Sequence, residues 1–149
     1  MGFVEKMFDS MQPHTSYGKR VCAYVIPFDE NNRIAVAKIP IGCFLLGGGI
    51  ENGESHYNAI TRECMEEVGC RVYVGNIICR AERYHWMARF KRNMHVIAYF
   101  YSGRLLDKTA EPIEKNHTLV WLTPEECEAQ LYLEHQRWAV RCAIGNKKR

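Results

Sequence analysis

The chain has 149 residues, of which 47% are hydrophobic, and this length and apolar content suit a single globular domain over residues 1–149. The formal net charge of +3 is too small to predict nucleic acid as a partner. Seven cysteines without a C-x-x-C pair predict neither a zinc site nor a disulfide framework, and they suit buried thiols in a reducing compartment.

The N-terminal region, residues 1–17, is predicted to be an extended or loose lead-in, because Pro13 and Gly18 interrupt any regular pattern. Glu5 and Asp9 stand among its apolar residues, so the region lacks the features of a secretory signal peptide. No apolar run in the chain approaches the ~20 residues that a membrane span needs. We therefore expect a soluble, cytoplasmic protein with no membrane partner.

Two strands and a glycine run are predicted next. Residues 19–28 and 33–39 are rich in β-branched and aromatic side chains, which favours strands. The Asp-Glu-Asn-Asn sequence between them favours a turn. A short apolar run at 44–46 then ends in three glycines at 47–49.

The rest of the chain mixes strands and helices without a regular βαβ repeat. Strands are predicted at 71–82, 93–102 and 119–122. Helices are predicted over 54–68, ending at Gly69, after the Thr123-Pro124 start signal, and over 133–144, followed by a frayed tail at 145–149. This order of elements predicts an α+β or layered α/β/α domain.

The predicted helix at 54–68 carries three acids on one face, Glu63, Glu66 and Glu67. Like charges at these spacings destabilise a helix by about a few tenths of a kcal/mol per pair. A hard divalent cation would remove this repulsion, because Mg²⁺ takes oxygen ligands. The alternative is a solvated acidic face. An apolar stripe beside the acids, which would dock the helix and hold its acidic edge in place, favours the cation; it consists of Ile60, Cys64 and Val68.

The residues around this helix follow a specific spacing. They are Gly48, Glu54, Arg62, Glu63, Glu66, Glu67 and Gly69, with Cys64 and Cys70 at two apolar positions. This spacing resembles the Nudix box, G-x5-E-x7-R-E-U-x-E-E-x-G-U with U apolar. Phe44 stands where many members of that family have Trp, and Leu46 stands where they have Pro. Without that proline, the turn before the box is less rigid.

The resemblance implies a Nudix-type α/β/α sandwich with a mixed central sheet, and a hydrolase of phosphoric anhydride bonds. The implied catalytic residues are Glu63, Glu66, Glu67, Arg62 and Glu54. The first three would ligate Mg²⁺ or Mn²⁺ together with the carbonyl of Gly47, while Arg62 would orient the box carboxylates. The ion would bridge diphosphate oxygens and activate a water. The substrate would be a small nucleotide-like diphosphate, and family precedent makes a homodimer reasonable.

The general base is left open between a box glutamate and an acid from a downstream loop. Glu114 and Glu111 are the nearest downstream candidates ahead of Trp121. Both residues equally suit exposed loop charges that take no part in the reaction.

The segment 83–92 alternates aromatic and basic residues. Tyr84 or Trp86 could stack on a base, and Arg89 could hold phosphates. The segment equally suits a β-hairpin with its aromatics toward the core or a dimer partner. Lys38, on the strand that leads to the box, is a further candidate for phosphate binding, and the alternative is a solvated lysine at a strand edge.

Three functions are compatible with these features. The first is a Mg²⁺-dependent pyrophosphohydrolase that cleaves the diphosphate bond of a nucleoside diphosphate linked to another group. The second is an isoprenoid-diphosphate isomerase, which needs a catalytic cysteine and glutamate in an apolar pocket, and Cys43 is the conceivable cysteine. The third is a non-catalytic nucleotide-sensing module of the same fold. The complete box favours the hydrolase.

Overall fold

The computed structural model describes residues 3–147. The strands are β1 (Val4–Met7), β2 (Gly18–Pro27), β3 (Ile34–Ile39), β4 (Gly42–Gly49), β5 (Cys70–Met87), β6 (Arg92–Lys108) and β7 (Thr118–Leu122). The helices are α1 (His56–Val68), α2 (Pro124–Gln130) and α3 (Glu134–Lys147). The seven strands form one mixed sheet in the order β1-β5-β6-β2-β4-β3-β7.

The sheet is layered between helices, which confirms the predicted α+β sandwich. On one face, Ala23 and Val25 of β2 share a core with Ile60 and Cys64 of α1. On the other face, apolar residues of β2 and β6 share a second core with α2 and α3; they include Ile26, Phe100, Cys127, Trp138 and Val140. The stripe of Ile60, Cys64 and Val68 is buried as predicted, because it is the face by which α1 docks.

β4 changes partners along its length. It pairs antiparallel with β3 through Gly42 to Leu45 and with β2 through Leu46 to Gly49. The glycine run therefore lies beyond the part of β4 that β3 accompanies, and one side of it is open. This opening is where the acidic edge of α1 meets the sheet.

Both ends of α1 have well-formed caps. The Ser55 side chain accepts a hydrogen bond from the Asn58 backbone N–H (3.0 Å), so the helix begins two residues after the predicted Glu54. It ends as predicted at Gly69, which has a left-handed φ of 69° and donates its N–H to the Met65 carbonyl. A side chain at Gly69 would overlap the Ala110 carbonyl, so both backbone conformation and space require glycine there.

β5 and β6 are longer than predicted, because they form one antiparallel hairpin, whose register shifts three times between Cys70 and Cys79. The strand predicted at 71–82 continues to Met87, and the strand predicted at 93–102 spans Arg92–Lys108. The aromatic and basic segment 83–92 is thus the tip of this hairpin.

Both ends of the described chain carry regular secondary structure. Residues 1–17 contain β1, which pairs parallel with β5. Phe8, the residue that follows β1, packs edge-on against Trp138. The predicted frayed tail is helical up to Lys147, whose ammonium donates to Asn32 Oδ1 (2.9 Å). Residues 1–2 and 148–149 lie outside the described residues.

All seven cysteines are free thiols, and six of them are buried, as predicted for small core residues. None of the three helices within residues 3–147 is long and apolar enough to cross a membrane.

Candidate active site

Arg62 is the centre of the acidic cluster on α1. Its Nε donates to Glu54 Oε2 (2.7 Å) and its Nη2 to Glu54 Oε1 (3.0 Å). Its Nη1 donates to Glu63 (3.0 Å) and Glu66 (3.2 Å). The Gly49 carbonyl accepts a further bond from Nη2 (3.1 Å). One planar guanidinium thus fixes three carboxylates relative to the glycine run, a task that suits its rigid fork of donors.

The acids of the cluster have different environments. The Arg62 hydrogen bonds lower the pKa of Glu54 to about 2, so Glu54 is a stable ion-pair partner. Burial raises the pKa of Glu63 in spite of Arg62. Burial raises the pKa of Glu67 well above its usual range, and the charges of Glu63, Glu114 and Glu66 raise it further. Buried carboxylates that repel one another are the groups that a bound cation stabilises most.

The glycine run lets this cluster approach the backbone. The Gly47 N–H donates to Glu67 Oε1 (3.1 Å). A Cβ on Gly48 would lie 2.9 Å from the Glu63 carboxyl carbon, and one on Gly47, whose φ is 140°, would overlap the Ala23 carbonyl. Because Gly47 and Gly48 have no side chains, the carboxylates lie directly against the backbone of the run.

A cleft of about 550 Å³ lies over the glycine run. Its charged end is formed by the box acids together with Arg20, Arg62, Arg89 and Glu114. The rest of its lining includes aromatic, apolar and amide side chains, namely Tyr24, Ala37, Ile39, Phe44, Leu45 and Gln136. A larger cleft of about 710 Å³, which includes Phe28, Asn76 and Arg104, lies at the far end of β2. Because it contains no box carboxylate, we assign the active site to the smaller cleft.

The donor chemistry at the charged end fits a hard divalent cation, since it consists of carboxylate oxygens beside backbone groups. Within residues 3–147, however, no three acidic, imidazole or thiol groups surround a common point. The reason is visible in the hydrogen bonds: Arg62 holds Glu63 and Glu66, while Gly47 holds Glu67.

The two downstream acids lie in different places. The Glu114 backbone N–H donates to the Glu66 carbonyl (3.0 Å), and the residue lines the cleft. Glu111 is an exposed partner of Lys108 (2.9 Å). The structure therefore brings Glu114 to the site and leaves Glu111 outside it.

Of the four predicted substrate-binding residues, only Arg89 lines the cleft. Tyr84 is stacked on His95, with ring centroids 4.4 Å apart, and Trp86 is exposed farther along the hairpin. Lys38 is exposed on β3 between two residues that do line the cleft, because successive side chains of a strand point to opposite faces. The structure therefore brings Arg89 to the cleft and leaves the other three residues outside its lining.

Several cleft residues were not found from the sequence, namely Arg20, Tyr24, His117 and Gln136. Arg20 stacks over Phe90 (5.4 Å from its ring centroid), which links β2 to the hairpin tip. Gln136 is fully buried in α3. A polar residue on the buried face of a helix was the signal that could have identified it. Cys43, the cysteine considered for an isomerase, is buried in the core on the α3 side of the sheet.

The comparison with known families decides the classification. The NUDIX domain model matches residues 18–142. The chain belongs to the Nudix family. Nudix membership confirms the predicted hydrolase of phosphoric anhydride bonds, and Nudix hydrolases generally use divalent cations and act on small nucleotide-like substrates.

Solved Nudix structures share the fold. The MutT protein from Methanosarcina mazei has a TM-score of 0.68 at 18% identity, covering 88% of this chain and 97% of that one. A NUDIX hydrolase from Nitrosomonas europaea has a TM-score of 0.64 at 17% identity, covering 87% and 90%. An ADP-ribose pyrophosphatase from Streptococcus suis has a TM-score of 0.60 at 18% identity, covering 81% and 88%. These likenesses confirm the predicted Nudix-type sandwich. No curated protein matches the chain.

Proposed function

We propose that this Nudix hydrolase is a Mg²⁺-dependent pyrophosphohydrolase that cleaves the diphosphate bond of a nucleoside diphosphate linked to another group. The observation that carries the proposal is the position of the Arg62-centred carboxylate cluster at one end of a cleft. The rest of the lining of this cleft is largely aromatic and apolar, which suits a base or sugar rather than a second phosphate.

In this proposal Glu63, Glu66 and Glu67 hold the cation, with the carbonyl of Gly47 as a further ligand. When bound, Mg²⁺ would neutralise charge on the diphosphate oxygens and lower the pKa of an attacking water. Arg62 and Glu54 act indirectly, through the other carboxylates. Their ion pair fixes the direction in which Glu63 and Glu66 face. They are positioning residues of the site.

The proton of the attacking water needs an acceptor at the charged end of the cleft. Glu114 is our candidate for this general base, because its side chain lines the cleft on a loop that is hydrogen-bonded to α1. Glu111 is set aside, since it pairs with Lys108 at the surface.

Two arginines are placed to bind the phosphates. Arg89 and Arg20 both line the cleft, and both guanidinium groups lie over the Phe90 ring. Neither forms an ion pair with a carboxylate within residues 3–147. Their charge is thus available to a diphosphate next to the acidic end.

A substrate panel tests the proposal. Nucleoside triphosphates, ADP-ribose, dinucleoside polyphosphates and nucleotide sugars would be incubated with the protein in Mg²⁺ or in EDTA, and the products separated by ion-exchange chromatography. We expect one substrate class to be hydrolysed at its diphosphate bond in Mg²⁺ only. Hydrolysis that continues unchanged in EDTA, or no hydrolysis of any class, would overturn the proposal.

A further inference from the structure

The tip of the β5–β6 hairpin carries an aromatic side chain whose position is not explained by core packing. Phe90 is 36% exposed, and within residues 3–147 neither hydrophobic core includes it. Its ring instead contacts two cations. The guanidinium carbon of Arg20 lies 5.4 Å from the ring centroid, and that of Arg89 lies 5.1 Å from it. Guanidinium groups are attracted to the faces of aromatic rings, so the two arginines account for where Phe90 lies.

The two arginines reach the cleft from different parts of the chain. Arg20 belongs to β2, and its guanidinium lies against the glycine run, because a Cβ added to Gly49 would be 2.5 Å from Arg20 Nη1. Arg89 lies in the turn between β5 and β6. Both arginines line the cleft, and Phe90 does not. Phe90 thus joins the hairpin tip to β2 beside the cleft without forming part of its lining.

The turn at the hairpin tip holds Phe90 in a defined direction. The Phe90 N–H donates to the Met87 carbonyl (3.0 Å), and the Lys91 N–H donates to the Ala88 carbonyl (3.1 Å). Lys91 has a left-handed φ of 50°, which returns the chain into β6. Backbone hydrogen bonds on both sides of Phe90 therefore direct its ring toward β2.

The contact with Phe90 keeps two like charges together. Arg20 and Arg89 repel each other because both are cations on one ring. The electron-rich faces of the ring attract both groups and offset this repulsion. The contact also restricts two long side chains before any ligand arrives. Side chains that are already ordered bind a ligand at a smaller entropic cost.

We propose that Phe90 is a positioning residue for phosphate binding, which holds Arg20 and Arg89 in the orientation in which both bind the diphosphate. The inference rests on the proposed function, because it takes a diphosphate to be the substrate. Phe90 carries no charge and does not line the cleft, so it acts only through the two arginines. A purely electrostatic role of the arginines would not require it.

Binding of methylenediphosphonate tests the proposal without requiring hydrolysis, because its P–C–P bridge cannot be hydrolysed. Isothermal titration calorimetry in Mg²⁺ would measure its Kd. Phe90→Leu keeps an apolar side chain and every charge, and we expect it to raise the Kd about tenfold, since two arginines must then be ordered on binding. Phe90→Tyr keeps an aromatic ring and is expected to stay within about twofold of the wild-type Kd.

Tyr73→Leu is the matched control for the loss of an exposed aromatic side chain. Tyr73 is 59% exposed on β5 and does not line the cleft. It is expected to keep the wild-type Kd.

A double-mutant cycle shows whether Phe90 acts through Arg89. Arg89→Gln would be measured in the wild-type protein and in Phe90→Leu. Because residues that act together are not additive, we expect Arg89→Gln to weaken binding less in Phe90→Leu than in the wild-type protein.

Steady-state kinetics on the substrate identified by the panel provide a second readout. Phe90→Leu is expected to raise KM about tenfold and to leave kcat within about twofold. It weakens a contact that serves binding and leaves the box carboxylates untouched.

Equal Kd values for the wild-type protein and Phe90→Leu would overturn the inference. So would an equal loss in Phe90→Tyr and Phe90→Leu, independent effects in the double-mutant cycle, or no binding of methylenediphosphonate by the wild-type protein. Failure of the proposed function would be seen separately. It would show as no Mg²⁺-dependent hydrolysis in the substrate panel while the Kd still depends on Phe90.

Discussion

Arg62 bonds three glutamates and one backbone carbonyl with a single side chain. A lysine at this position keeps the positive charge and cannot form the same planar set of bonds. Because Arg62 acts by orienting the box carboxylates, we expect Arg62→Lys to reduce kcat/KM by about 10–100-fold, the usual effect of losing a partner that orients metal ligands.

Arg71→Lys is the matched control for this prediction. Arg71 also forms a two-bond pair with a carboxylate, Asp107, but at an exposed position of β5. Steady-state kinetics and thermal unfolding of both variants would separate catalysis from stability. Wild-type kinetics for Arg62→Lys would contradict the positioning role.

Glu67 makes the stability of the metal-free protein depend on pH. Burial raises its pKa in the folded state, so its contribution to stability is present at low pH and is lost as the pH rises through that raised pKa. We expect the Tm in EDTA to fall as the pH rises above the usual carboxyl range, by roughly 2–4 °C for each kcal/mol lost. The fall should be smaller in Glu67→Gln, which carries no charge.

Glu111→Gln provides the comparison for the pH series, because Glu111 is an exposed acid outside the cleft. It is expected to follow the wild-type curve of Tm against pH. If Glu67→Gln followed the same curve, the buried carboxylate would not be the source of the effect.

At the residue scale, the sequence predicted those parts of the site that lie close together in the chain. The bonds from Arg62 to Glu54 and to its neighbouring glutamates join residues of one helix and its approach loop. Arg20 and Gln136 could not be identified in this way. They reach the cleft from β2 and α3, and that placement depends on how distant segments of the chain pack together.

At the scale of elements, the end of α1 explains why the box contains Gly69. A side chain there meets both a left-handed backbone and the Ala110 carbonyl. We expect Gly69→Ala to reduce the free energy of unfolding by about 1–3 kcal/mol or more.

Gly145→Ala in α3 is the control for Gly69→Ala, because a Cβ there meets no atom of the described structure. Alanine is expected to stabilise this helix position by about 0.5–1 kcal/mol. Urea unfolding would measure both changes. Equal effects of the two substitutions would contradict the steric account of Gly69.

Elements with strong local signals were predicted well, and those that depend on distant partners were not. Helix α1 has a capping serine, an apolar stripe and a terminal glycine, all readable from its own sequence. Strand β1 is short and exposed, and exists through parallel pairing with β5 much later in the chain.

At the scale of the whole molecule, the cleft results from the way β4 joins two parts of the sheet. β3 accompanies β4 only as far as Leu45, so the glycine run that follows is open to α1 on one side.

The predicted homodimer stays a prediction, as does the expected cytoplasmic location.

We infer that the carboxylates of α1 carry metal-dependent hydrolysis. The most direct measurement is the Mg²⁺ dependence of kcat, on the substrate identified by the panel, for the wild-type protein, Glu67→Gln and Glu111→Gln. We predict that Glu67→Gln loses at least about 100-fold in kcat, more than the loss of an outer partner would cause, while it stays folded and Glu111→Gln keeps wild-type activity. Undiminished turnover of folded Glu67→Gln in Mg²⁺ would show that Glu67 is not a ligand of the catalytic cation.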